Sequence, residues 1–286
     1  MPEIVMLSND ILGESPSWFN GRSSVCWVDI PRGIIHLLDP VSMDSRDFHL
    51  GGYVSSIVPS ADNNGVVTSG KGVFLLNMTT GEISLLGEVS PWDSRNRFND
   101  AKCDSTGRLW AGTMNLEKNL PTGSLYVFTP YCSFIKVLDR LTISNGITWN
   151  EHRNELYHID TPTRIVSVYN YSKSDTSLIL KRSLDLTNQK GRPDGMTIDS
   201  KGFLWIAMFN GGQVIKCDPD TGEVVDRIEL PTKWITSCCF GNSGMRTLYI
   251  TTASDPAGKS TNDRYAGNLY EERLNVSGLE SYKFEG

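Results

Sequence analysis

Glu14, Asn99, Asn145 and Asp194 have the types and spacing to meet at one reaction centre. Each presents a hard oxygen among glycine, proline or apolar neighbours. The stretches are Gly13-Glu-Ser-Pro-Ser-Trp18, Asn96-Arg-Phe-Asn-Asp-Ala-Lys102, Ile143-Ser-Asn-Gly-Ile147 and Arg192-Pro-Asp-Gly-Met196. Two carboxylates and two carboxamides in one place make a donor set for a hard cation. Taken singly, a polar residue at a strand start does no more than satisfy a turn. The set, with Glu14 and Asp194 in it, points to a site. Other chemistries lack their residues. No Gly-x-Ser-x-Gly elbow is present for a serine nucleophile. His36, His49, His152 and His158 show no zinc-type pairing. Asp218-Pro-Asp-Thr-Gly-Glu223 starts like a calcium loop, but Pro219 and the missing downstream glutamate make it a hairpin turn.

Residues 180 positions apart meet only if the chain repeats. The chain does so in its turns. Asp104-Ser-Thr-Gly-Arg-Leu-Trp-Ala-Gly112 returns as Asp199-Ser-Lys-Gly-Phe-Leu-Trp-Ile-Ala207, and more faintly as Asp62-Asn-Asn-Gly-Val-Val-Thr-Ser-Gly70. With Cys26, Thr68, Trp110, Tyr157, Trp205 and Tyr249 taken as equivalent, the spacings are 42, 42, 47, 48 and 44 residues. A period in the forties with short β-type runs is the pattern of propeller blades. The sequence therefore predicts an all-β, six-bladed β-propeller occupying residues 1–286 as a single domain. Glu3-Ile-Val-Met-Leu7 and Ser281-Tyr-Lys-Phe-Glu285 are expected to complete one blade together. Counting back 11 to 13 positions from the six markers gives Glu14, Ser55 or Ser56, Asn99, Asn145, Asp194 and Ser237. Equivalent positions on successive blades surround one axis, so these residues should converge.

Composition narrows the partners. Net charge is −6, with Lys and Arg scattered, so no basic stripe is available for nucleic acid. No run approaches a membrane span, and the N-terminus does not read as a secretory signal. The six cysteines show no Cys-x-x-Cys spacing and read as reduced thiols. A cytoplasmic protein, monomeric or weakly homo-oligomeric, with a small-molecule partner is expected.

Those four stretches, with Ala111-Gly-Thr-Met114, Tyr157-His-Ile-Asp160 and Trp234-Ile-Thr-Ser-Cys-Cys-Phe-Gly241, resemble the motifs of the SMP-30/gluconolactonase/luciferin-regenerating family, in order along nearly the whole chain. The resemblance implies a six-bladed propeller binding one divalent ion, Ca²⁺ or Zn²⁺, with Mn²⁺ and Mg²⁺ as alternatives. It implies Glu14, Asn145 and Asp194 as metal ligands, with Asn99 beside the ion. Arg97, Asn99 and Glu117 match substrate-gripping positions, and the loop 116–123 matches a lid. The implied activity is hydrolysis of a sugar lactone, with the ion as Lewis acid and Asp194 as both ligand and general base. A regucalcin-like calcium-binding regulatory protein is one alternative. A family member acting on another cyclic substrate is a second. Arg97 favours a polar, hydroxylated ligand.

Overall fold

The computed structural model describes residues 2–254 and 263–286. Met1 and residues 255–262, which fall inside the expected 1–286 unit, lie outside the described residues. The described strands form six four-stranded antiparallel sheets. The innermost strands are Gly13–Phe19, Val54–Pro59, Asn96–Cys103, Ser144–Asn150, Arg192–Ile198 and Ile235–Gly241. Each lies beside the next, and the last lies beside the first. The chain is a six-bladed β-propeller.

The turn repeat has a physical reason. Asp104 Oδ1 accepts the backbone N–H groups of Thr106 and Arg108, which tightens the hairpin. Its Oδ2 accepts the indole N–H of Trp110 at 2.7 Å. Asp199 does the same for Lys201, Phe203 and, at 3.1 Å, Trp205. A cation then covers each indole: Arg108 over Trp110 and Lys216 over Trp205, each also paired with the aspartate. Both tryptophans are buried between neighbouring blades. One aspartate thus shapes the turn and satisfies the polar edge of a core side chain. The copy at Asp62 has no tryptophan and keeps only the turn.

Ring closure differs from expectation in one half. Glu3–Met6 is indeed the outermost strand of the sixth blade, paired with Leu269–Arg273. Residues 281–285 do not join it. Gly278 N donates to Met245 O at 2.7 Å, Ser200 N donates to Ser277 O at 2.8 Å, and Phe284 N donates to Pro59 O at 2.9 Å. The tail therefore crosses from the fifth and sixth blades to the second. Phe284 is fully buried and stacks on Phe128, 5.6 Å away. An aromatic side chain with a core to enter outcompetes a fifth strand at a blade edge.

The seam between the last and first blades is held by Asp10. Its N–H donates to Gly267 O at 2.7 Å, and its carboxylate accepts Trp27 Nε1 at 2.8 Å and meets His36 Nε2 at 3.0 Å. Asp47 Oδ1 lies 2.8 Å from the other ring nitrogen of His36. Burial disfavours the imidazolium, but the two aspartates outweigh it and raise the pKa of His36. A raised folded-state pKa means stability that is full below about pH 6.5, the unfolded value, and lost as pH rises through the folded one. His36→Gln is therefore expected to cost about 1.5–3 kcal/mol at acidic pH, with the deficit shrinking above the folded pKa. Urea denaturation across a pH series measures this. A deficit independent of pH would mean that the charge on His36 contributes nothing.

Candidate active site

All six innermost strands bulge at the same step. The register slips between Glu14 and Ser17, Val54 and Ser56, Phe98 and Ala101, Asn145 and Ile147, Pro193 and Met196, and Ile235 and Ser237. A bulge re-aims a side chain that the pleat would otherwise bury in the sheet. The equivalent residues are Glu14, Ser55, Asn99, Asn145, Asp194 and Thr236. Sequence spacing placed Ser237 in this ring and left Ser55 and Ser56 open. The structural marker in the second blade is Val66, which pairs with Val58, while Thr68 pairs with Ser56. In the sixth blade Tyr249 pairs with Cys239, three residues after Thr236. The glycines that follow Asn145 and Asp194 are there for close approach: a Cβ on Gly146 would lie 2.5 Å from Asp194 O, and one on Gly195 would lie 2.0 Å from Ser237 Oγ.

Hydrogen bonds divide the six. Ser55 Oγ donates to Phe98 O at 2.6 Å, Asn99 Nδ2 to Ser144 O at 2.9 Å, and Thr236 Oγ1 to Gly13 O at 2.5 Å. These three stitch the second blade to the third, the third to the fourth and the sixth to the first. The other three keep oxygens free. Asn145 Nδ2 donates to Asp194 Oδ1 and to Thr161 Oγ1, and Glu14 Oε2 accepts Ser15 N–H at 3.0 Å. Among the described residues no donor reaches Asn145 Oδ1, Asp194 Oδ2 or Glu14 Oε1. Behind them, Ser144 Oγ lies 2.8 Å from Nε2 of His158, whose burial pushes its pKa down to about 4 and keeps it neutral.

The electrostatics are those of a site short of positive charge. Glu14, Asn99, Asn145 and Asp194 are all buried. Burial first, then Asp100, raises the pKa of Glu14. Burial first, then Glu14 and Asp100, raises that of Asp194. Asp100, next to Asn99, is itself buried with a raised pKa and an Oδ2 that no donor reaches. Arg97 is buried too, which lowers its pKa to about 10. Three unengaged hard oxygens between repelling carboxylates fit a divalent cation and leave positions for water or substrate. No group of three or more His, Cys, Asp or Glu among the described residues forms such a cluster by itself, so the carboxamide of Asn145 completes the set.

Arg97 Nη1 donates to Asn99 Oδ1 at 2.9 Å and to Phe98 O at 2.7 Å, which fixes the guanidinium beside the ring. Glu117 is exposed on the loop after Leu109–Asn115 and makes no ion pair with a described residue. Three charged neighbours were not singled out from sequence. Asp100 lay inside a quoted motif. Lys102, three residues after Asn99, donates to Met196 O. Lys118 feels Arg97 and Asp194, and nothing in its local sequence signals that.

Three steps further along each inner strand, Ser17, Val58, Lys102, Thr148, Thr197 and Cys239 line a cavity of about 60 Å³ on the axis. Leu279, Glu280, Ser281 and Tyr282 of the tail line it as well. That cavity lies beyond the bulged ring, towards the tail.

Residues 12–254 match the SMP-30/Gluconolactonase/LRE-like region. The chain is similar to the "Putative sugar lactone lactonase YvrE" of Bacillus subtilis (strain 168), 33% identical over 281 residues and 96% of each chain. It is similar to regucalcin of Oryctolagus cuniculus, 33% identical over 294 residues, 99% of this chain and 98% of that one. Among solved structures, a luciferin-regenerating enzyme matches with a TM-score of 0.92 at 30% identity over the whole of both chains.

A raised carboxyl pKa means that folding takes up a proton, so the metal-free protein loses stability as pH rises above about 4.5. Glu14→Gln is therefore expected to stabilise the metal-free protein by about 1–3 kcal/mol near neutral pH while removing the rise in Tm on adding a divalent ion. Calorimetric melts with and without Ca²⁺ or Mn²⁺ measure both effects. A variant that is less stable metal-free and still responds to the ions would take Glu14 out of the ligand set.

Proposed function

The chain belongs to the SMP-30/gluconolactonase/LRE-like family, and we propose that it hydrolyses a sugar lactone with one divalent ion held by Glu14, Asn145 and Asp194. The observation that carries this reading is the convergence of three unengaged hard oxygens beside Arg97. When bound, the ion supplies Lewis acidity towards the lactone carbonyl and offsets the repulsion among the carboxylates.

The chain's own residues do the rest. Asp194 takes a proton from the attacking water, and burial beside Glu14 and Asp100 favours the proton on it. Water oxygen bonds to the carbonyl carbon, the ring C–O bond breaks, and the ring oxygen leaves with a proton as the new hydroxyl. The product is an aldonic acid. Arg97 has committed one Nη1 edge to Asn99 and Phe98, so its other donors are held at fixed angle for substrate hydroxyls. Asn99 uses one N–H and one lone pair on Ser144 and Arg97 and keeps one of each. Glu117 would reach a hydroxyl from the loop. No covalent nucleophile takes part.

A second reading, a calcium-binding regulatory protein, uses the same oxygens and is favoured by the likeness to rabbit regucalcin. Calorimetric titration with Ca²⁺ separates the two, because tight binding without turnover of any lactone belongs to the second alone.

A pH-stat assay on D-glucono-1,5-lactone and related aldonolactones, with and without EDTA, is expected to show turnover that chelation removes. Asp194→Ala should lower kcat by about a thousandfold or more and abolish metal binding. Arg97→Ala should raise KM and spare the metal. Wild-type turnover in Asp194→Ala would sink this mechanism.

A further inference from the structure

Three loops at one end of the fifth blade enclose a second cavity, of about 280 Å³. The first, 186–191, leads into Arg192–Ile198, so that Lys190 stands four residues before Asp194. The second, 210–212, joins Leu204–Phe209 to Gln213–Cys217. The third, 230–234, leads from Val224–Glu229 into Ile235–Gly241. Backbone bonds fix the walls: Gly212 N donates to Lys233 O at 3.2 Å, and Leu230 N donates to Gly212 O at 2.9 Å. Gln213 is buried and lines the same cavity. Its Oε1 accepts from Arg227 Nη1 at 3.4 Å, and its Nε2 donates to Lys190 O at 3.5 Å. One carboxamide thus holds a guanidinium and a lysine-bearing loop around one space.

Lys190, Arg227 and Lys233 all line this cavity, against one carboxylate, Glu229. The loops 186–191, 210–212 and 230–234 contain no acidic residue. The carboxylates on the adjoining strands are used elsewhere. Asp185 Oδ1 accepts Thr187 N–H at 2.8 Å, and Asp194 belongs to the axial ring. Asp226 accepts the Arg227 backbone N–H at 2.8 Å and lies on the opposite face of its strand from Arg227 and Glu229. None of the three cations is in an ion pair with a described residue. Lys190 Nζ and Lys233 Nζ donate to no described group, and Arg227 commits only Nη1, to Gln213. Positive charge that no protein group answers is thus gathered at one place in a chain of net charge −6. A second polar group there is also unanswered. Thr232 is 2% exposed and lines the cavity, and its Oγ1 has no described partner. A buried hydroxyl is ordinarily paired.

We propose that this cavity is a second ligand site, separate from the axial ring, and that it takes a sugar phosphate. A tetrahedral phosphate has oxygens for the Arg227 fork and both lysines together, which a carboxylate lacks. At about 280 Å³ the cavity is near the lower end of small-molecule sites, with room for a sugar beyond the phosphate. Its lining has no aromatic side chain on which a base could stack, which disfavours a nucleotide. Glu229 repels a bare polyphosphate but accepts from sugar hydroxyls, and Thr232 Oγ1 gains a partner. The proposal shares no residue with the lactonase reading and does not depend on it.

Calorimetric titration of the whole chain with D-glucose 6-phosphate, D-ribose 5-phosphate and sn-glycerol 3-phosphate tests this, with D-glucose and inorganic phosphate as controls. At least one ester is expected to bind about tenfold more tightly than either control. Arg227→Gln and Lys190→Gln, both at exposed positions, should each weaken that binding about tenfold, and Thr232→Val about threefold. Glu229→Gln should tighten inorganic phosphate and so narrow the preference for the ester. Backbone amide resonances locate the ligand without any variant. Those of Gly211 and Gly212 should shift during titration, and those of Gly146 and Gly195 at the ring should not. Inorganic phosphate binding as tightly as every ester would reduce the cavity to a patch of surface charge and overturn the proposal. Failure of all three esters to bind at about 10 mM would do the same. So would binding that Arg227→Gln and Lys190→Gln leave untouched, or shifts at Gly146 and Gly195 in place of Gly211 and Gly212.

Discussion

The crowding of Glu14, Asp100 and Asp194 around one buried axis is the constraint on which the structure depends. Each carboxylate raises the proton affinity of another, and burial removes the water that would screen them. Such a cluster survives only if its surroundings cannot relax away from it. The six inner strands bulge at one level, and Ser55, Asn99 and Thr236 stitch neighbouring bulges together through backbone carbonyls. Glycines at 146 and 195 let those strands approach where any side chain would collide. The ring is thereby prevented from opening at the place where its charges push outward.

That rigidity is built farther out, in the turns. Asp104 and Asp199 each tie a hairpin, an indole and a cation into one unit wedged between blades. Where a blade lacks the unit, other devices act. The seam between the sixth and first blades uses Asp10, Trp27 and His36, which is again an aspartate holding an indole, here beside a stacked imidazole. Blade packing therefore uses one chemical idea several times over. The blades around the axis are held by polar wedges whose carboxylates and indoles are hydrogen-bonded.

Much of this was legible because the repeat is a turn repeat. Asp-x-x-Gly-x-Leu-Trp returns after two blades for a reason of local chemistry, and with its fainter hairpin copies it located the blades and, by offset, Glu14, Asn99, Asn145 and Asp194. The offset failed by a residue in the sixth blade and left Ser55 and Ser56 both open in the second. There the marker positions, Thr68 and Tyr249, sit on hairpins without the aspartate–indole pair, and nothing local fixes the count. The fate of residues 281–285 was illegible for another reason. An alternating Ser-Tyr-Lys-Phe-Glu segment reads as a strand, but the buried pocket against Phe128 that captures Phe284 exists only after the ring has closed. Lys118 was hidden because a loop's direction is set by its feet on Arg95 and Asn96, which lie 22 or more residues away in the chain.

The tail also makes the two ends of the axis different. Residues 279–282 lie under the axial cavity, and their neighbours are pinned to the fifth and sixth blades at one end and to the second at the other. Charge compensation on that side of the carboxylates comes from Lys102, held by Met196 O at the level of the cavity. At the level of the carboxylates themselves it comes from Arg97. The axis is thus asymmetric, with Lys102 and the tail on one side of the ring of like charges and Arg97 on the other.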